Sequence, residues 1–231
     1  MGENIAPETT HPETVIRFSD GGKVWVERTA NGIKSVKQID PDSLLKCIRQ
    51  SLLRGGVSSG LLPSGCLSFT YFDDGGKDVC LLHQAETADL IYYDSVYKNF
   101  PLPKLVFGFC VSSEGRVSSC RMGIVANDPV LKPNTLMYHY PLSNVSGFNI
   151  CTGNNALPRC GSLHTLRSLP YHILAMPNND HYFSPSRNKP GMGMRDLLEQ
   201  LKDKTREYYY SDILIPSGAV LGDFIGIGGD A

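Results

Sequence analysis

The residue with the clearest chemical potential in this sequence is Cys151, which lies in residues 137–158, MYHYPLSNVSGFNICTGNNALP. Apolar and polar residues alternate just before it, so a short extended segment should carry the thiol on its more polar face. Gly153, Asn154 and Asn155 follow, and because such residues form turns we expect the sulfur at the edge of a loop. An accessible thiol beside side-chain amides suits acyl transfer, since sulfur is the nucleophile and amides can donate hydrogen bonds to an oxyanion.

The other six cysteines lie in different surroundings, and cysteine is among the residue types most often buried in proteins. Cys47 falls in a helical pattern. Four others fall inside apolar, strand-like runs: Cys66, Cys80, Cys110 and Cys120. We interpret these five as small core residues, so that the local sequence indicates catalysis for Cys151 and not for them.

Composition places the chain among globular proteins. Its 231 residues are 41% hydrophobic and 19% charged, which suits one large domain, or one domain with an added subdomain. The formal net charge of −1 gives no electrostatic case for nucleic acid or a membrane surface as a partner. No apolar run approaches the ~20 residues of a membrane-spanning helix. The N-terminus lacks the basic and apolar regions of a signal peptide, so seven cysteines, an odd number, predict reduced thiols in the cytoplasm.

The N-terminal part of the chain is predicted to hold a disordered tail at residues 1–12, then strands and a helix over residues 13–60. Strand-like runs occur at residues 15–18, 23–28 and 33–39. Asn31-Gly32 between the last two runs is a strong hairpin signal. A helix over residues 41–54 follows, with Asp40 as its predicted cap.

Residues 61–215 are predicted to form an α+β core. Short apolar runs separated by tight turns occur at residues 66–72, 78–83, 90–94, 104–111 and 116–125. Such a succession is typical of an antiparallel β-meander. Apolar residues at helical spacing predict a second helix over residues 193–206, whereas residues 158–181 show no clear period and predict irregular structure or a short helix. The glycine-rich end, residues 216–231, predicts a flexible tail.

The order of these elements, with an asparagine seven residues before a cysteine, resembles the layout of a ubiquitin-conjugating enzyme. The segment PLSNVSGFNIC at residues 141–151 resembles that family's His-Pro-Asn flap and catalytic cysteine. The chain is more similar still to the prokaryotic ubiquitin-conjugating-like family, which includes protein B of the PRTRC plasmid system. The resembling segments, within roughly residues 88–200, are IYYD at 91–94, FPLP at 100–103, LVF at 105–107, PNT at 133–135, the flap, CTG at 151–153 and residues 183–188.

The resemblance implies a ubiquitin-conjugating-enzyme-like fold: an antiparallel β-meander flanked by helices, with an N-terminal β-hairpin extension. It also implies that Cys151 accepts the C-terminal glycine of a ubiquitin-like protein from a ThiF-type adenylating activating enzyme. The thioester would then pass to an amine on a target protein, and no cofactor is needed. Asn144 stands where the family has its flap asparagine, so the resemblance makes it the oxyanion donor. An asparagine that caps its own turn is the alternative.

The histidines depart from the family pattern. His139 lies upstream of the register of the eukaryotic flap histidine, where it could brace the flap without a catalytic role. Related bacterial proteins tend to have a His-Pro-Asn-like step after the position of Phe183, and residues 184–188 lack that histidine. His181 is the nearest one and could orient or deprotonate an incoming amine. A surface histidine without a catalytic role is the alternative.

Three other interpretations stay open. A zinc site could use His139, Cys151, Cys160 and His164, although no short Cys-x2-Cys pair accompanies them. A catalytically inactive member could keep the fold and only bind the ubiquitin-like protein or its activating enzyme. The diglycine at residues 228–229 is found near the ends of ubiquitin-like proteins, but the body of this chain does not resemble ubiquitin.

Overall fold

The computed structural model describes residues 13–19, 22–30, 32–53 and 58–226. The chain divides into two compact units, Met1–Ser58 and Ser59–Ala231. The tail predicted at residues 1–12 lies outside the described residues. No helix within the described ranges is long and apolar enough to cross a bilayer.

The first unit contains a three-stranded antiparallel sheet and one helix. The elements are β1 (Glu13–Phe18), β2 (Val24–Ala30), β3 (Ile33–Ile39) and α1 (Pro41–Leu53). They confirm the predicted strands and helix. Asp40 caps α1, because its Oδ1 accepts a hydrogen bond of 2.8 Å from the Ser43 N–H. Along α1 the side chain of Leu44 is buried, whereas Leu45 and Ile48 are exposed.

The second unit is built on an antiparallel sheet. The strands of this unit, in chain order, are β4 (Cys66–Tyr71), β5 (Lys77–Leu82), β6 (Thr87–Tyr92), β7 (Ser95–Pro101), β8 (Leu105–Val111), β9 (Val117–Val125), β10 (Leu136–Tyr138), β11 (Val145–Ser146), β12 (Asn149–Ile150) and β13 (Pro216–Val220). The main sheet has the order β11-β12-β9-β8-β5-β4, and β10 pairs with both β9 and β13. β8 pairs with β5 on one side and β9 on the other, and every residue of it except Cys110 is buried. This nearly continuous apolar strand is the centre of the core.

β6 and β7 form a separate two-stranded sheet, which differs from the predicted meander. The residue pattern predicts a strand at residues 90–94 within the meander and none at β7. In the structure Tyr92 pairs with Ser95, the chain reverses at Tyr93 with a left-handed φ of 49°, and β5 pairs directly with β8. A turn built on Tyr93 and Asp94 lacks the Asn-Gly signal of a tight hairpin, so the pattern of residues did not indicate it.

Short helices complete the core of the second unit. They are the 3₁₀ helix Leu163–Ser168, α2 (Leu169–Leu174), the 3₁₀ helix Pro185–Arg187, α3 (Met194–Leu201), α4 (Arg206–Tyr208), the π-helix Tyr209–Ile213 and α5 (Leu221–Phe224). α3 buries its apolar face, as predicted, with Met194, Leu197, Leu198 and Leu201. It ends at Leu201 and not at residue 206, because the polar stretch 202–205 forms a turn in which the Lys204 N–H donates to the Leu201 carbonyl.

The flexible tail predicted from residue 216 is wrong for residues 216–226. β13 pairs with β10 in the main sheet, and α5 buries Leu221 and Phe224 in a second apolar cluster with Val106 and Met137. The Arg121 guanidinium fixes α5 further by donating a hydrogen bond of 2.9 Å to the Phe224 carbonyl. Of the described glycines in this stretch, Gly218 lies in β13 with a φ of +81°, Gly222 is buried in α5, and Gly226 forms the turn after α5. Residues 227–231 of the predicted tail lie outside the described residues.

Candidate active site

A small hairpin brings Asn144 next to Cys151. β11 pairs with β12, with Val145 opposite Ile150, and Gly147 opens the two-residue turn between them with a φ of +59°. The residues that flank the hairpin therefore face each other, and the Cys151 N–H donates a hydrogen bond of 2.8 Å to the Asn144 carbonyl. The cysteine stands at a loop edge, as the sequence predicted, because the chain leaves β12 at this point.

Asn144 is held in place from a second direction by the loop after α2. Its N–H donates to the His181 carbonyl at 3.2 Å, and its side-chain Nδ2 donates to the Pro177 carbonyl at 3.1 Å. Its φ of 64° is left-handed, a conformation that asparagine tolerates better than most residues. The side-chain hydrogen bond thus reaches across to another loop and does not cap the turn that contains Asn144.

The structure places Cys151, Asn144 and His181 around one cleft of about 170 Å³. The other residues that line this thiol cleft are Thr152, Gly153, Asn155, Met176, Pro177 and Asn179. The three predicted site residues thus come together, although His181 is 37 positions from Asn144 in the sequence. The amides of Asn155 and Asn179 give the cleft further polar groups. Cys151 is half-buried, so its sulfur can be reached from this cleft.

Behind the flap the surroundings of Cys151 are mostly apolar. A cavity of about 20 Å³ is shared by Cys151 with Leu90, Met122, Ile173 and Leu174, among others. The thiol therefore lies between a packed apolar interior and an open polar cleft. The packed interior fixes the position of the sulfur, and the cleft leaves one side of the sulfur open to a reacting carbonyl.

A buried polar pair that the residue pattern does not predict supports the flap. Ser143 is only 1% exposed, and its hydroxyl donates to Asn178 Oδ1 at 2.9 Å. Asn178 Nδ2 in turn donates to the carbonyls of Ile91 and Met176, at 3.2 and 3.3 Å. The only sequence signal for this role is the cluster of turn-forming residues PNND at 177–180.

His181 lies at the exposed rim of the thiol cleft. Its N–H donates to Asn179 Oδ1 at 2.7 Å, and its ring packs on Tyr182 with 4.1 Å between ring centroids. The neighbouring Asp180 accepts hydrogen bonds from the hydroxyls of Tyr92, at 2.7 Å, and Tyr93, at 3.2 Å. These bonds tie the loop that carries His181 to the β6–β7 turn, so the position of the histidine is set by two separate elements.

The zinc interpretation finds no support in the geometry. His139 lies beside the C-terminal segment, where its N–H donates to the Ile215 carbonyl at 3.0 Å. Cys160 is buried, and its N–H donates to the Gly115 carbonyl at 2.8 Å. Across the described ranges, no group of three or more His, Cys, Asp and Glu side chains is placed to hold a metal ion.

Comparison with known families identifies one family whose profile covers the site residues. The profile of prokaryotic E2 family D matches residues 71–208, which is more than half of the chain and includes Asn144, Cys151 and His181. The chain belongs to this family of prokaryotic E2-like proteins. No curated protein and no solved structure shows significant similarity to the chain.

Family membership sets the general role of the protein. It indicates an E2-like function in the conjugation of ubiquitin-like proteins, together with interactions with such proteins and with other enzymes of conjugation. The mixed architecture, with mostly antiparallel sheets and few helices, is compatible with an E2-like fold.

Proposed function

We propose that this protein accepts a ubiquitin-like protein as a thioester on Cys151 and passes it to an amine on a target protein. The donor of the thioester is an adenylating activating enzyme of the ThiF type. The observation that carries the proposal is the convergence of Cys151, Asn144 and His181 on one cleft within a chain of the E2 family. The reaction needs no cofactor in this protein, because the activating enzyme has already spent ATP to form the incoming thioester.

Charging is an exchange between thiols. The Cys151 thiolate attacks the carbonyl carbon of the incoming thioester and forms a tetrahedral oxyanion. The oxyanion collapses, the new carbon–sulfur bond stays on Cys151, and the cysteine of the activating enzyme leaves as its thiolate. The fixed position of the Cys151 backbone, through its hydrogen bond to Asn144, favours this step because the sulfur is held in the open side of the cleft.

Asn144 is suited to stabilise the oxyanion. Its Nδ2 carries two hydrogens, and one of them is used in the bond to the Pro177 carbonyl, so the second is available to a substrate oxygen. A single pre-placed donor of this kind is worth about 3 kcal/mol of transition-state stabilisation. The bond to Pro177 and the backbone bonds to Cys151 and His181 hold the amide before the substrate arrives, so little reorganisation is needed.

The second step is aminolysis. The amine nitrogen of the target attacks the Cys151 thioester, the carbon–nitrogen bond forms, and Cys151 leaves as a thiolate. The attacking nitrogen must lose a proton, and His181 at the rim of the cleft is the residue that we assign to orient the amine or accept that proton. Asn144 serves the oxyanion of this step in the same way as in charging.

The direct test is a charging reaction with the activating enzyme, the ubiquitin-like protein and ATP, separated on a non-reducing gel. The wild-type protein should form an adduct that a thiol reagent cleaves. Cys151→Ala should form none, and Cys151→Ser should form either none or an ester that resists thiol. Asn144→Ala should slow charging by about 10²-fold, whereas the matched control Asn154→Ala, on the exposed part of the same loop, should charge at the wild-type rate.

His181 is tested in the transfer step. Charged His181→Gln protein should pass the ubiquitin-like protein to a lysine-containing target more slowly than the wild type, while its charging rate stays the same. If the activating enzyme becomes charged and the wild-type chain never does, the proposed activity is wrong. The protein would then be a binding module of the same pathway.

A further inference from the structure

A second depression, of about 450 Å³, lies on the other side of the Cys151 loop. We name it the β9 pocket, because one wall is the start of β9 and the other is the chain that returns after Cys151. Its lining residues are Arg116, Val117, Ser118, Ser119 and Cys120 from the first wall, and Ile150, Thr152, Asn155, Leu157 and Arg159 from the second.

Both ends of the β9 pocket are closed by backbone hydrogen bonds. At one end β12 pairs with β9, where the Met122 N–H donates to the Phe148 carbonyl at 2.8 Å. At the other end the Cys160 N–H donates to the Gly115 carbonyl, also at 2.8 Å. Between these points the two chain segments diverge. The opening is therefore bounded by a backbone hydrogen bond at each end, and its size suits an inserted side chain.

The charged side chains that line the β9 pocket are all positive. Arg116 and Arg159 stand on opposite walls, both are exposed, and no lining residue carries a carboxylate. Within the described part of the chain, neither guanidinium forms an ion pair. Ser119 and Thr152 add hydroxyl groups to the lining. Two guanidinium groups with neighbouring hydroxyls form a donor-rich surface that complements a carboxylate.

The β9 pocket adjoins the thiol cleft directly. Thr152 and Asn155 line both depressions, so the turn after Cys151 is the wall between them. The Cα atoms of Cys151 and Thr152 are about 3.8 Å apart, since the connecting peptide is trans. His181 lines the thiol cleft and not the β9 pocket. The pocket is thus next to the backbone of the Cys151 loop, and it does not include His181, beside which the amine is expected.

We infer that the β9 pocket binds a carboxylate side chain of the ubiquitin-like protein that Cys151 carries. This inference rests on the proposed function. A donor attached to Cys151 keeps the surface around its C-terminus beside Thr152 for the whole lifetime of the thioester, whereas targets only visit the His181 side. An Asp or Glu of the donor that inserts between Arg116 and Arg159 would orient the donor and leave the thiol cleft open for the amine.

The test measures binding without chemistry. The full-length Cys151→Ala protein, labelled with ¹⁵N, is titrated with the free ubiquitin-like protein, and the guanidinium and backbone resonances of both walls are followed by NMR. The double charge reversal Arg116→Glu with Arg159→Glu should weaken binding by about tenfold, since two exposed charge contacts become repulsive. Arg167→Glu, at an exposed arginine that does not line the pocket, is the matched control and should bind normally.

Two further arms separate the possible outcomes. Lysine substitutions of the Asp and Glu residues of the ubiquitin-like protein should include one that weakens binding to the wild-type arginines and restores it to the double reversal. Charging is measured in parallel with wild-type Cys151. If charging is normal and the double charge reversal binds the ubiquitin-like protein as tightly as the protein with wild-type arginines does, the inference is wrong while the proposed activity stands. Arginine-dependent binding without any charging would overturn the proposed activity and leave the pocket as a docking site.

Discussion

The buried amide of Asn178 should be one of the costliest side chains to remove from the second unit. It accepts a hydrogen bond from the Ser143 hydroxyl and donates to the carbonyls of Ile91 and Met176. The Ile91 carbonyl keeps a second donor in Asn178→Ala, the backbone N–H of residue 178 at 2.7 Å. The Ser143 hydroxyl and the Met176 carbonyl lose these partners inside the protein. At about 1–3 kcal/mol for each unsatisfied buried group, the free energy of unfolding should fall by about 3 kcal/mol.

Urea denaturation measures this loss, and the aromatic residues give a clean readout. All 11 tyrosines lie between residues 71 and 210, so near-UV circular dichroism of tyrosine reports on the second unit. The single tryptophan, Trp25, lies in the first unit, and its fluorescence reports separately on that unit. A cycle of Asn178→Ala, Ser143→Ala and the double variant should give a coupling free energy of about 1 kcal/mol, because the two side chains share one hydrogen bond.

The same variant should impair charging. Asn178 fixes the loop whose Pro177 and His181 carbonyls hold Asn144, so the oxyanion donor loses its support. Asn154→Ala, an exposed control, should change the free energy of unfolding by no more than about 0.5 kcal/mol. A loss below about 1 kcal/mol for Asn178→Ala, together with additive effects in the cycle, would refute this account of the flap.

Two further predictions follow from the pKa shifts of buried groups. Burial raises the pKa of the Cys80 thiol to about 12. Iodoacetamide at about pH 8 should therefore alkylate Cys151 in the native protein and leave Cys80 unmodified until the chain is denatured. Equal labelling of both cysteines, measured by peptide mass spectrometry, would contradict the structure. Burial, and then the charge of Arg206, lowers the pKa of His83 below its ordinary value of 6.5. The unfolded chain therefore binds this proton more readily, so the contribution of His83 to the free energy of unfolding should be constant above about pH 7 and fall below it, by up to about 1.4 kcal/mol per pH unit. His83→Gln should flatten this fall in urea titrations, and a wild-type slope in that variant would contradict the prediction.

Much of the candidate site could be predicted from the sequence, because its signals are local. The alternation before Cys151 and the turn-forming residues after it lie in one short segment, and they place the sulfur at a loop edge. Asn144 is joined to Cys151 by a tight hairpin, so its proximity also follows from nearby residues. Strands β1 to β5, β8 and β9, together with α3, were predictable for the same reason, since a period of two or of 3.6 is visible within a few residues.

The features that could not be predicted depend on contacts between distant parts of the chain. The pairing of β13 with β10 joins residues 136–138 to residues 216–220, and the glycines around β13 give a misleading local signal. The role of Asn178 depends on Ser143 and Ile91, which lie on other elements. A buried amide with partners from separate segments has no sequence pattern of its own, so only the folded structure identifies it.

The most direct test of the central claim is the intact mass of the charged protein, followed by peptide mapping of the modified residue. The account predicts that incubation with the activating enzyme, the ubiquitin-like protein and ATP adds one ubiquitin-like protein minus one water, attached at Cys151. Hydroxylamine should remove this mass, since it cleaves a thioester and leaves an amide bond intact. An unmodified Cys151 in the presence of a charged activating enzyme, or an adduct that maps to another cysteine, would contradict the account.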